Sequence, residues 1–179
     1  VKYAAFFRNL NLGRPNCPNK SEFEAAFVAA GATSASSFLS NGTLVFATGS
    51  NARAGKILAR ACTLLADSCG LKEPAYIRSV AYLADLVTRD LFAAVAPGSV
   101  HECCVSFLHV DSSSPLQLPL ESARGDVRVL HGTGTEVFSV SLTIGKSHGS
   151  PNAFLEKWLG RPVTTRSWKT LCRLVQRHA

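Results

Sequence analysis

Ser36-Ser37-Phe38-Leu39-Ser40-Asn41-Gly42-Thr43-Leu44-Val45-Phe46-Ala47-Thr48 sets two strand-like runs, residues 36–40 and 43–48, on either side of Asn41-Gly42. Asn-Gly is the pair that most readily takes up the positive φ angles of a type I′ turn, so the stretch reads as a hairpin. Upstream, residues 3–10 read as a buried strand that ends in the polar turn Asn11-Leu12-Gly13-Arg14-Pro15. Ser21-Glu22-Phe23-Glu24 has the spacing of a capping box and opens a helix with Phe23, Phe27 and Ala30 inward and Gly31 as its stop. Downstream, residues 51–69 place Leu58, Ala61, Cys62, Leu65 and Cys69 on one helical stripe, with Gly70 as terminator. Residues 75–78 follow as a short strand. Strand, helix, hairpin, helix, strand is the split βαβ plan, and residues 1–78 can close as one unit.

The remainder, residues 79–179, reads as a second small α+β subdomain. Ser79 caps a helix carrying Leu83, Leu86, Val87 and Leu91, and Pro97-Gly98 breaks the chain before a strand over residues 102–110. A loop is expected at residues 112–115. Strands at residues 127–131 and 136–143 form a hairpin around Gly132-Thr133-Gly134. Ser150-Pro151 starts a helix with proline at the first helical position, where its missing N–H costs nothing. That helix is expected to bury Phe154, Leu155, Trp158 and Leu159 and to end at Gly160. A final helix is expected over residues 166–177.

With 179 residues, 46% hydrophobic and 17% charged, the chain has the make-up of a folded globular protein. No apolar run approaches the ~20 residues of a membrane span. Arg8 interrupts the run from Tyr3 to Phe7 well short of a secretory h-region, which sets the expectation of a soluble cytoplasmic protein. The six cysteines, Cys17, Cys62, Cys69, Cys103, Cys104 and Cys172, are expected as free thiols packed as small hydrophobes.

Charge is distributed unevenly. Residues 141–179 hold seven of the 19 basic side chains and one of the 12 acidic ones, Glu156, in a chain of net charge +7. Within that tail Thr164-Thr165-Arg166-Ser167-Trp168-Lys169 puts an aromatic ring between two cations. At 100° per residue, Arg166, Lys169, Arg173 and Arg177 share one helix face, opposite Trp168, Leu171, Cys172 and Val175. Such a stripe is either a solvated face or an anion-binding one. Arg166 at the positive end of the helix dipole favours the second reading, because it is mildly unfavourable there without an anion.

Other motifs are weaker. Gly145-Lys146-Ser147 resembles the end of a phosphate loop, but Val140 stands where the first Walker glycine belongs. Gly145-Lys146-Ser147-His148-Gly149 fits G-x-S-x-G without the downstream acid-then-histidine order of a hydrolase. Its more plausible use is an anion nest before the Ser150-Pro151 helix, with Lys146 and Ser147 as contacts. His101, Cys103, His109 and His131 lack metal-site spacing, so no metal or cofactor is expected. Arg8, Asn9 and Asn11 lie where the first strand delivers the chain to a loop, a place for binding groups or simply for turn chemistry.

Several of these stretches resemble the bacterial domain of unknown function family 1697. Arg8-Asn9-Leu10-Asn11-Leu12-Gly13 is similar to its R-G-I-N-V-G opening, with Asn9 in place of glycine. Leu39 to Phe46 is similar to its Q-S-G-N-V-V-F hairpin, and Phe154 to Gly160 and Thr164 to Thr170 are similar to its C-terminal motifs, with Ser167 and Lys169 where it usually has asparagine. The resemblance implies an α+β fold of two ferredoxin-like (α/β plait) subdomains in tandem, residues 1–78 and 79–179, mostly antiparallel with helices on one face. It implies no reaction.

The function expected on these grounds is anion binding through Arg8, Asn9, Asn11, Lys146, Ser147, Thr165, Arg166, Trp168, Lys169 and Arg173, the partner being nucleic acid or a phosphorylated small molecule. The chain lacks the aromatic-rich strand of an RNA-recognition motif, so nucleic-acid contact would be mainly electrostatic. The alternatives are an enzyme on a small anionic substrate, with Arg8, Lys146 and Arg166 orienting it and Ser147 or His148 acting chemically, and a structural or oligomerising protein.

Overall fold

The structure, a computed structural model, describes residues 1–109 and 116–179. The loop expected at residues 112–115 and the last residue of the strand expected at 102–110 lie outside the described residues. The chain divides into two compact units, Val1–Ala84 with Leu174–Ala179, and Asp85–Arg173.

In the first unit β1 (Lys2–Phe7), α1 (Lys20–Ala29), β2 (Ser34–Ser37), β3 (Thr43–Ala47), α2 (Asn51–Cys69) and β4 (Ala75–Ser79) follow one another. The sheet order is β2-β3-β1-β4, antiparallel throughout. Its core joins Phe7, Phe23, Phe27 and Phe46, with Phe7 and Phe23 edge-to-face at 5.2 Å, to Ala54, Ile57, Ala61 and Leu65 of α2. The seam of α2 therefore runs through Ala54 and Ile57, while Leu58, Cys62 and Cys69 are only partly buried against it. Gly70 ends α2 at φ 75°.

Two local readings shift. The capping box of α1 is Asn19 with Glu22, two residues before the expected pair: Glu22 N–H donates to Asn19 Oδ1 at 2.9 Å, and Asn19 N–H to Glu22 Oε2 at 2.7 Å. Glu24 instead reaches across to β2 and accepts from both the N–H and the hydroxyl of Ser37 at 2.8 Å.

The hairpin is the second correction. β2 and β3 are joined by Phe38 to Gly42 rather than by Asn41-Gly42 alone, and the positive φ angles fall at Leu39 (69°) and Gly42 (73°), not at Asn41. Contacts beyond the hairpin decide this. The loop is drawn onto the exit of β1, where Phe7 N–H donates to Gly42 O and Leu12 N–H to Ser40 O, both at 2.9 Å. A Cβ on Gly42 would lie 2.8 Å from Leu10 Cβ. Gly42→Ala adds that overlap to a left-handed backbone, and is expected to lower the stability of the first unit by about 2 kcal/mol in urea unfolding.

The second unit begins within α3 (Val80–Thr88), whose Tyr82 N–H is capped by Ser79 Oγ at 3.2 Å. It continues with β5 (Val100–Phe107), β6 (Leu120–Glu121), β7 (Val127–Gly132), β8 (Glu136–Ile144), β9 (Ser147–His148), α4 (Pro151–Leu159), β10 (Thr164–Ser167) and the start of α5 (Trp168–His178), which belongs to the first unit from Leu174 on. The six-stranded sheet runs β10-β5-β8-β7-β6, with β9 on β8, and every pairing is antiparallel. The fold class is thus α+β with antiparallel sheets.

One face of this sheet buries Leu155 of α4 against Val129, Val137, Val163 and Leu120. Ser150 caps α4 through Ala153 N–H at 3.2 Å, and Gly160 closes it at φ 64°. Trp158, expected inside, is 58% exposed. The opposite face carries Phe138, packed by Phe92 at 6.2 Å and by Trp168 at 5.8 Å between ring centroids. In this unit, then, cover comes from both sides rather than from helices on one face.

β10 is the main departure from the sequence reading. Residues 164–167 pair with β5, Arg166 opposite Val105, and the helix begins only at Trp168, with Ser167 Oγ capping Thr170 N–H at 3.1 Å. The last strands of the two sheets end alike. β4 closes on Arg78-Ser79 and β10 on Arg166-Ser167, each serine caps the helix that follows, and each arginine Nη1 donates to the carbonyl of the residue before it, at 2.8 and 2.9 Å.

Candidate functional site

In the first unit two of the three expected residues, Arg8 and Asn9, meet one carboxylate. Arg8 Nη1 meets Glu73 Oε2 at 2.7 Å, and Asn9 Nδ2 donates to Glu73 Oε1 at 3.3 Å. Asn9 holds φ 49°, the left-handed region in which asparagine is the usual substitute for glycine. Asn11 is exposed, and its carbonyl accepts from Arg14 N–H at 3.1 Å. These residues shape the loop after β1, and Asn9 with Glu73 borders a cleft of about 340 Å³.

In the second unit Gly145-Lys146 is the tight turn between β8 and β9. Gly145 holds φ 61° and Lys146 stays at negative φ, as in a type II′ turn. Lys146 projects from that turn, exposed. Ser147 is exposed on β9, where its hydroxyl accepts from Arg124 Nη2 at 2.9 Å. The segment runs strand, turn, strand, so it forms neither a phosphate loop nor a nucleophile elbow.

Gly149 carries the chain from β9 into α4 and fixes a polar cleft of about 290 Å³ bordered by His101, Glu102, His148, Asn152 and Thr165. The imidazoles of His101 and His148 stack at 3.8 Å. Thr165 Oγ1 donates to Asn152 Oδ1 at 3.0 Å and lies 2.7 Å from Ser106 Oγ. A hydroxyl has one proton, so Ser106 must donate to Thr165 and the chain runs Ser106 to Thr165 to Asn152. It ends with the Nδ2 hydrogens of Asn152 left for the cleft. Sequence reasoning found Thr165 but missed Ser106 and Asn152, because the pairing of β10 with β5 is what joins them.

Arg166 does not enter that cleft. It is 7% exposed and sits in register with Val105 and Phe138, on the sheet face opposite Thr165. Its Nη1 donates to Thr164 Oγ1 and Thr165 O, both at 2.9 Å. Burial pulls its pKa down to about 10, so it stays charged at neutral pH. The expected four-cation stripe thus loses its first member, since the residue lies on a strand and is enclosed. Trp168 is half-buried on the same side against Phe92 and Phe138. Lys169, Arg173 and Arg177 are exposed on α5, whose Leu171, Leu174 and Val175 are buried. None of the three forms an ion pair among the described residues.

All six cysteines are free thiols. Burial, with Glu102 and Cys103 alongside, pushes Cys104 up to about 12, so it is a packed thiol and not a nucleophile. Native alkylation at pH 8 followed by mass spectrometry is expected to leave Cys104 unmodified, and alkylation in denaturant to label all six. Among the described residues no group of three or more His, Cys, Asp or Glu could hold a metal ion, and no helix is long and apolar enough to cross a membrane.

The sequence model of the family described as "Protein of unknown function (DUF1697)" matches residues 1–138. Among solved structures, a conserved bacterial protein from Streptococcus pneumoniae matches over 98% of this chain and 97% of its own, with 16% identity and a TM-score of 0.63. At that identity the likeness speaks for the fold alone. No curated protein matches.

Proposed function

We propose that this chain, which belongs to the DUF1697 family of proteins of unknown function, binds nucleic acid through the exposed cationic face of α5, with Lys169 and Arg173 as the principal phosphate contacts. The observation that carries this reading is the spacing of Lys169, Arg173 and Arg177, four residues apart and exposed, without an acidic partner among the described residues. The far end of α5 points the same way: His178 is held below the usual imidazole range by burial and by the charges of Arg177 and Lys2. With Arg166 enclosed, the surface reading rests on Lys169 and Arg173 and loses the aromatic–cation pair. Lys146, exposed on its turn, is an accessory contact, and Arg8, Asn9 and Asn11 support their loop. We read the two sheets as plaits in tandem, because β4-β1-β3-β2 and β10-β5-β8-β7 follow the same order when numbered within each unit.

A second reading has its own observation. The chain Ser106–Thr165–Asn152 leaves the Asn152 amide as a donor in a cleft beside His101 and His148, where a small phosphorylated ligand would be held by these groups at the far side from Glu102 or with its charge offset against that carboxylate.

Fluorescence anisotropy of labelled single- and double-stranded oligonucleotides, at two salt concentrations, separates the two. Phosphate neutralisation releases counterions, so a Lys169→Glu, Arg173→Glu variant is expected to lose at least about tenfold in affinity, with a log K against log salt slope shallower by about 1.4–1.8. Unchanged binding and slope in a variant of native circular dichroism would overturn the surface reading. Loss of nucleotide binding in Asn152→Ala, with oligonucleotide binding absent in the wild type, would establish the second.

A further inference from the structure

We propose that the second unit holds a binding groove for an amphipathic carboxylate, a hydrocarbon chain ending in –COO⁻, between the segment before β5 and the face of β7 and β8 that α4 does not cover. The groove encloses about 520 Å³, within the range of small-molecule sites. Its origin is the alternation of the strands. Val127 and Val129 of β7 are buried, Val129 in the core that Leu155 of α4 joins, which leaves Arg128 and Leu130 on the other face beside Val140 and Leu142 of β8. Leu91, Val95 and Pro97 form the facing wall.

Among the described residues the lining is apolar apart from Arg128 and Ser99, and it holds no carboxylate. A hydrocarbon chain gains from burial along such walls, and the Arg128 guanidinium selects the charge of the head group. Arg128 lies directly opposite Val140 in the ladder, so the cation stands over the apolar floor itself. Its ion-pair partner is Glu121, with Nη2 to Oε1 at 3.3 Å and both side chains about half exposed. An exposed pair of this kind contributes little and exchanges readily. A ligand carboxylate can accept two parallel N–H bonds from the same fork.

Calorimetric titration of the full chain with octanoate, decanoate and dodecanoate below their micellar concentrations, and with decanol and decyltrimethylammonium as controls, tests the proposal. Affinity is expected to rise about fourfold per added methylene, and decanoate to bind roughly tenfold more tightly than decanol. Arg128→Gln should bring decanoate down to the level of decanol and leave decanol unchanged. Ala94→Trp, which fills the groove from its exposed rim, should abolish binding of both while the melting temperature is kept. Equal binding of decanoate and decyltrimethylammonium, no dependence on chain length, or full binding by Ala94→Trp would each overturn the assignment.

Discussion

Gly149→Ala is expected to unfold the second unit at temperatures where the wild type is intact, with a loss of about 3 kcal/mol or more and a fall in Tm of about 10 °C or more. The added methyl would overlap the carbonyl of Asp126 and stand 2.7 Å from Val127 Cγ2. Neither neighbour can give way cheaply. Asp126 O accepts Leu142 N–H at 2.8 Å, and the N–H groups of Asp126 and Val127 both donate to Ser122 Oγ at 3.0 Å. Gly149 is held just as firmly: its N–H donates to Leu142 O at 3.2 Å, and its carbonyl accepts the Ser141 hydroxyl at 2.6 Å. Relief therefore requires the backbone between β9 and α4 to move away from β7, which opens the polar cleft as well. Thermal unfolding followed by circular dichroism measures the effect, and a shift of less than about 2 °C would contradict it.

Arg166→Glu is expected to be as damaging, at about 3–5 kcal/mol, with the protein recovered mostly insoluble. The native cation is enclosed and satisfied by Thr164 Oγ1 and Thr165 O, both acceptors. A carboxylate there meets the Thr165 carbonyl lone pair, puts negative charge into an enclosed site and supplies acceptors where the guanidinium supplied donors. The direction of the native pKa matters too. A cation whose folded pKa is lowered is disfavoured by burial while it is charged, and that penalty is present at neutral pH and fades only as pH rises through about 10. Lys169→Glu with Arg173→Glu, by contrast, is expected to leave urea stability within about 1 kcal/mol, because both side chains are exposed. Comparing the two variants separates a structural cation from surface ones. Loss of binding in an Arg166 variant would report unfolding.

The sequence made some elements plain and hid others for physical reasons. α2 and α4 could be read to the residue, since each combines a helical apolar stripe with a left-handed glycine stop, and α4 adds serine and proline at its start. The start of α1 was misplaced because Asn19 and Ser21 are both competent caps, and Glu24 is drawn away by Ser37, thirteen residues on. The Asn41-Gly42 turn failed as a local rule because hydrogen bonds to Phe7 and Leu12 reshape it. β10 had no apolar alternation to betray it, as Thr164-Thr165-Arg166-Ser167 is wholly polar in composition. Its strand character comes from pairing with β5, and the helical period then carried Arg166 to the wrong surface. The cleft shared that obscurity, because Ser106, Asn152 and Thr165 are neighbours only once both strands are in place. Lys169, Arg173 and Arg177 lie on the exposed side of α5, because the period of that helix was legible over residues 168–177.

The matching Arg-Ser endings of β4 and β10 let one dipeptide close a strand and open a helix. The serine hydroxyl takes up an otherwise orphaned N–H of the next helix, while the arginine folds back on the carbonyl before it, so each change of direction completes its own backbone accounting locally.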